Sequence, residues 1–100
     1  MAFCIDILEY YYQMDELSNL RSGINDIDSQ IFSLLLQRLG LVYNISEIKK
    51  KQNLPIYDKE REENIYNRID AHYQGRNGLY IKDIYKTIMN ESKRIQSENN

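Results

Sequence analysis

Apolar residues recur along the first half of the chain at Leu17, Leu20, Ile24, Ile27, Ile31 and Leu34, then at Leu41, Ile45 and Ile48. Steps of three and four keep such residues on one side of an α-helix, so the spacing predicts one long helix from Leu17 to about Lys51. No proline interrupts it before Pro55. Gly23 and Gly40 fall inside it, each costing roughly 1 kcal/mol relative to Ala. One position breaks the stripe: between Leu34 and Leu41 the pattern calls for an apolar residue, and the chain has Arg38. An arginine on a buried seam must meet an anion or it costs several kcal/mol.

Pro55 forces Leu54 out of helical geometry and ends the first helix by then, in a loop over residues 51–57. Asp58 starts a second helix, with Glu62, Ile65, Ile69 and either His72 or Tyr73 on one side. Gly75, Asn77 and Gly78 read as a turn. A third helix follows from about Leu79 to Ile95, with a stripe of Ile81, Ile84 or Tyr85, Ile88 or Met89, and then Ser92 and Gln96. The tail from Ser97 is expected to fray. Residues 1–14 are apolar without a clean period. They read as an extension of the first helix or as an N-terminal arm, with Asp15 or Ser18 able to cap a new helix start. The fold class is all-α: a three-helix chain with one long N-terminal helix. A helix of roughly 50 Å exceeds the diameter of a compact 100-residue domain, so oligomerisation is expected.

Lys49 lies eleven residues after Arg38, about three turns, and so returns to nearly the same side of the helix roughly 16 Å along. Two long cations at that separation can bracket a small anion. Arg21 lies seventeen residues before Arg38, roughly 26 Å away along the axis, and most simply reaches the site of another protomer. Taken singly, each is an ordinary solvated cation on a long helix; the seam position sets Arg38 apart. Polar residues interrupt the apolar face of every predicted helix: Arg38 and Lys49, then Glu62, then Ser92 and Gln96. Together they point to one polar pocket inside a bundle.

Composition narrows the chemistry. The net charge is −2 and basic residues alternate with acidic ones, which gives no reason to expect nucleic acid. No apolar run is long enough to span a membrane. The N-terminus lacks the basic flank and apolar core of a secretory signal. The single cysteine, Cys4, permits no internal disulfide, which fits a reducing, cytoplasmic setting. Nothing local would activate Cys4 as a nucleophile. His72, the only histidine, is explained by a favourable place near helix C-terminal carbonyls. There is no Cys/His metal cluster, no Gly-rich phosphate loop, and no serine or cysteine nucleophile with a histidine base. Cations, hydrogen-bond donors and one carboxylate suit a small dianion carrying a hydroxyl, held in a reactive shape while developing charge is stabilised.

These residues carry a resemblance. Leu20-Arg21 through Asp28, Leu34-Leu35-Leu36-Gln37-Arg38, Ile48-Lys49, Pro55 through Arg61-Glu62, and Glu91-Ser92 through Gln96 are similar to the all-helical, AroQ-class chorismate mutases. The match spans about residues 15–97, so residues 15–100 are assigned to a chorismate mutase type II domain and 1–14 to the arm or extension. The resemblance implies an intertwined homodimer in which each site uses both chains. It also implies rearrangement of chorismate to prephenate in phenylalanine and tyrosine biosynthesis, with no cofactor or metal. Arg38, and Arg21 from the partner chain, would bind the substrate carboxylates, with help from Ser92. Lys49 and Gln96 would donate to the ether oxygen. Glu62 would accept from the ring hydroxyl, helped by the backbone N–H of Asp58, and Arg61 would support the site electrostatically. Two other readings are an isochorismate pyruvate lyase on the same fold, against which Glu62 argues, and a non-catalytic helical dimer in which Arg38 pairs with a protein carboxylate.

Overall fold

The computed structural model describes residues 2–99; Met1, Asn100 and the side chains of residues 2–6, Cys4 among them, lie outside the described residues. The described residues are all-α, with three helices among them: α1 (Ala2–Gln52), α2 (Lys59–His72) and α3 (Gly75–Glu98). Helix α1 begins far earlier than the apolar stripe and passes Asp15 and Ser18 without a break. Residues 2–14 contain no proline or glycine to stop it, so they extend the helix.

The chain divides into two units, residues 1–37 and 38–100. The first consists of the N-terminal part of α1. Its stripe of Leu17, Leu20, Ile24, Ile27, Ile31 and Leu34 is exposed in the single chain. The second holds the end of α1 together with α2 and α3, and every further contact described below lies within it.

Asn53, at φ 54°, ends α1. The Leu54 N–H donates to Lys49 O at 2.9 Å and the Asn53 N–H to Lys50 O at 3.4 Å. This is a Schellman stop, with asparagine in the left-handed position that glycine more often takes, and Pro55 bars continuation. Asp58 starts α2 as expected. Its carboxylate accepts the Arg61 N–H at 3.0 Å, satisfying a donor that a helix start leaves orphaned, and its carbonyl accepts the Glu62 N–H as the first bond of the helix.

The next connection is tighter than the sequence suggests. Residues 75–78 are not a turn before a helix at Leu79; they are the first turn of α3. Gly75 alone absorbs the reversal, at φ 70°. Gly78 is buried against Tyr73, and a Cβ there would collide with the Tyr73 carbonyl oxygen. Helices α2 and α3 therefore run antiparallel around a small core of Ile65, Ile69 and Met89, flanked by Tyr66, Ile81 and Tyr85. Two ion pairs mark the register, Asp70–Lys82 at 2.5 Å near the turn and Glu62–Lys93 at 2.9 Å further from it.

The face that α1 turns to α3 differs from the predicted seam. Val42 and Ser46 are buried and Arg38 and Lys49 partly so, whereas Leu41, Ile45 and Ile48 stay exposed. Arg38, Val42 and Ser46 form a column at steps of four, one position round the helix from the seam. Nor does the end of α3 fray before residue 99. The Asn99 N–H donates to Ile95 O, and the Asn99 Nδ2 donates to Ser46 Oγ at 2.9 Å and Glu47 Oε1 at 2.8 Å. The Lys50 ammonium donates to Asn99 O at 2.6 Å. The terminal turn is fastened to α1 by side-chain hydrogen bonds, which offset the fraying entropy of a free tail.

Gly78→Ala should lower stability by about 1–3 kcal/mol, because relief of the Tyr73 collision must move α2 against α3. A urea-unfolding midpoint equal to that of the parent would contradict this account of the turn.

Candidate active site

A cavity of about 360 Å³ opens between the end of α1, the start of α2 and the second half of α3. That volume is within the range of small-molecule pockets. Arg38, Lys49, Asp58, Arg61, Glu62, Ser92 and Gln96 all line it, with Leu41, Val42, Ile45, Ile65 and Met89 as apolar wall. So the structure gathers every site residue read from the sequence except Arg21, which is exposed in the unit of residues 1–37. Two neighbouring cavities share members with this one. One, of about 450 Å³, is lined by Ser46, Lys50, Asn53 and Leu54 and shares Lys49 and Gln96. The other, of about 340 Å³, is lined by Arg68, His72 and Tyr73 and shares Arg38 and Arg61. Only the central cavity combines the cations with Glu62, Ser92 and Gln96.

The α1 cations reach the cavity from the column they share with Val42 and Ser46. Arg38 Nη1 donates to Ser92 Oγ at 2.5 Å, and the guanidinium lies 5.9 Å from the centre of the Tyr85 ring. In the single chain the seam arginine thus meets a hydroxyl and an aromatic ring, not an anion. Ser92 Oγ donates its own hydrogen bond to Ile88 O at 2.9 Å, within α3. Its acceptor side is therefore turned to the cation, and the pair is directional. Lys49 Nζ donates to Ile56 O at 2.9 Å, tying the 53–57 loop to the helix end.

Gln96 is the least satisfied group. Its Nε2 donates to Ser92 O at 3.2 Å, while its buried Oε1 has no partner among the described residues. The opposite amide orientation would set two acceptor oxygens face to face. One Nε2 hydrogen and the carbonyl oxygen remain uncommitted. An unpaired buried acceptor costs roughly 1–3 kcal/mol, recovered when a donor enters the cavity.

Four cationic side chains (Arg38, Lys49, Arg61, Lys93) and two carboxylates (Asp58, Glu62) line the cavity, so its balance favours an anion with more than one charge. Lys93 is the cavity-lining neighbour that periodicity missed. It pairs with Glu62 across thirty-one positions of sequence, a contact made by the antiparallel run of α2 and α3 that no local pattern signals. Asp70 and Lys82 pair across the same two helices, closer to the turn. No group pairs a nucleophile with an activating base here.

Helical architecture and a cation-rich, amide-bearing cavity together define an all-α protein fitted to a small polyanion. The chain belongs to the chorismate mutase type II family, the AroQ class, whose sequence pattern it matches over residues 20–97, and chorismate mutase activity comes with that membership. It is 32% identical over 88 residues to a chorismate mutase of Methanocaldococcus jannaschii, a match covering 85% of this chain and 88% of that protein. A 56-residue stretch is 48% identical to a bifunctional chorismate mutase/prephenate dehydratase of Aquifex aeolicus, covering 56% of this chain and 16% of that longer protein. In three dimensions it is similar to a conserved hypothetical protein from Pyrococcus furiosus, with a TM-score of 0.68 and 39% identity over 80% of this chain and 93% of that one. Among the described residues, no helix is long and apolar enough to cross a membrane.

Proposed function

We propose that the chain rearranges chorismate to prephenate in the central cavity, as an intertwined homodimer in which Arg21 of the partner subunit completes each site. What supports this reading is the convergence of Arg38, Lys49, Asp58, Arg61, Glu62, Ser92 and Gln96 on one cavity from three helices. The reaction breaks a C–O bond and forms a C–C bond within one molecule, with no proton, electron or leaving group to manage. A site for it has to hold the substrate folded and stabilise negative charge on the ether oxygen.

Arg38, already oriented by Ser92, takes one substrate carboxylate, and Ser92 assists. Arg21 of the partner subunit takes the other. Lys49 leaves the Ile56 carbonyl to meet the ether oxygen, and the free Nε2 hydrogen of Gln96 donates to the same atom. Glu62 accepts the ring hydroxyl with support from the Asp58 N–H, and Arg61 adds positive potential at the cavity's edge. The exposed stripe of α1 supports the dimer: six large aliphatic side chains in register are too many to leave in water, and a second copy of the same stripe buries them. Aromatic amino acid biosynthesis is the setting.

The direct test is conversion of chorismate by the purified chain. Prephenate should form without added metal or cofactor. Salicylate and pyruvate from isochorismate, with no prephenate from chorismate, would assign the lyase reaction instead. No turnover and no substrate binding would leave a purely structural helical dimer.

Shared sites give a mixing experiment. Arg21→Ala and Lys49→Ala homodimers should each lose at least about 30-fold in kcat/KM, as removal of a charge that meets a buried charge commonly costs 2–5 kcal/mol. Co-refolded mixed dimers contain one site with both residues intact, so activity should partly return. Absence of recovery in demonstrated mixed dimers would remove Arg21 from the partner's site.

The amide of Gln96 donates at any pH, whereas a carboxyl in its place donates only when protonated. An ordinary glutamate has a reference pKa of about 4.3, so Gln96→Glu should be poor near neutrality and recover as pH falls. The parent should change much less over the same range. The measurement is kcat/KM for both proteins from about pH 4.5 to 8; parallel profiles would end the case for Gln96 as a donor to the ether oxygen.

A further inference from the structure

Glu62 does not stand alone in the cavity. Lys93, the residue after Ser92 on α3, places its ammonium 2.9 Å from Glu62 Oε2. The same ammonium lies 5.0 Å from the centre of the Tyr57 ring. Only 31% of the Lys93 side chain and 20% of Glu62 are exposed, so solvent screens this pair less than a surface pair. Both residues line the cavity.

We propose that Lys93 is a specificity-determining residue: its positive charge behind Glu62 selects a substrate whose ring substituent is a neutral hydroxyl over one that bears an ammonium at that position. The inference rests on the reading above, in which Glu62 receives the ring substituent.

A bare carboxylate discriminates in the opposite direction. It binds an ammonium by a charge-assisted hydrogen bond, roughly twice as strong as one to a neutral donor. An amine in place of the ring hydroxyl is protonated near neutrality, since aliphatic amines titrate at about 10. An unpaired Glu62 would therefore recruit the aminated compound. With Lys93 present, the carboxylate is already neutralised. Its remaining acceptor positions still serve a donor, because a carboxylate offers about four. A group bonded there stands roughly 4–7 Å from Lys93 Nζ. Two like charges at that separation repel enough, at an effective dielectric of about 20, to change relative kcat/KM on the order of fiftyfold to a thousandfold. A hydroxyl meets no such repulsion. Arg38 and Lys49 face the substrate's own anionic groups and Arg61 supports them. Lys93 is the cavity cation whose partner is the residue that reads the ring substituent. Discrimination of this kind works by repulsion of the wrong ligand.

The test compares kcat/KM for chorismate with that for its analogue carrying an amino group in place of the ring hydroxyl, using the full chain. Lys93→Gln keeps a hydrogen-bond donor and removes the charge, Lys93→Met removes both, and Lys93→Arg keeps the charge. Both neutral variants should raise the amino-to-hydroxyl ratio at least about tenfold, and Lys93→Arg should leave it near the parent value. A parallel fall for both substrates in the neutral variants would make Lys93 a strut between α2 and α3 and overturn the inference. So would an equal change of ratio in Lys93→Arg, because charge would not be its cause. A parent that turns over chorismate while the ratio stays fixed in every variant overturns this inference alone. A parent with no chorismate turnover overturns the functional reading and this inference with it.

Discussion

The hydrogen bond from Arg38 to Ser92 sets the architecture of the second unit. An arginine that projects from α1 toward α3 needs room, and the two helices stay far enough apart to give it. Further along, Asn99 reaches back to Ser46 and Glu47. The end of α1 and α3 are thus joined by long polar side chains at two levels, with a cavity between them. Apolar packing alone would have closed that gap, because interiors tend toward close packing. Polar bridges resist collapse, since each must keep its length and direction to stay satisfied. The space a ligand needs is held open by the groups that would bind it.

Much of this was legible in the sequence, for identifiable reasons. Helical periodicity does not depend on tertiary context, so the helices and their polar interruptions could be read directly. Asp58 was placed correctly because a helix start has a specific chemical demand that its carboxylate meets. What could not be read depended on pairing between helices. The stripe of Leu41, Ile45 and Ile48 predicts a buried seam, yet the buried column is Val42 and Ser46; periodicity reports the most apolar face of a helix, which need not be the face its own chain covers. The tail looked free because nothing local shows that Asn99 meets Ser46 across fifty-three positions. Gly75 and Gly78 read as a turn because both are glycine. Only Gly75 reverses the chain, whereas Gly78 is there to let a carbonyl approach. Lys93 carried no periodic signal of its own.

The electrostatics of the cavity divide into two kinds. Arg38, Lys49 and Arg61 have no carboxylate within ion-pairing distance among the described residues, so their charge is available to a ligand. Glu62 and Lys93 compensate each other, and in the proposed reading the pair senses the sign of the substituent beside it. An excess of uncompensated positive charge next to a neutral pair suits a substrate that is anionic at its carboxylates and neutral at its ring substituent. In the proposed reading, a cavity whose described residues pair no nucleophile with a base acts through a field fixed in advance of the reaction.

The close approach of Gly78 to the Tyr73 carbonyl makes the α2–α3 turn a fulcrum. Glu62 lies eleven residues before Tyr73, an arm of roughly 16 Å along α2. A tilt of about 5° at the turn would swing Glu62 by about 1.4 Å, half the length of a hydrogen bond. Small changes at this turn would thus be magnified at Glu62, on the wall of the cavity. A drifting sequence can therefore retune this site from its far end, through leverage and without touching a single residue of the cavity wall.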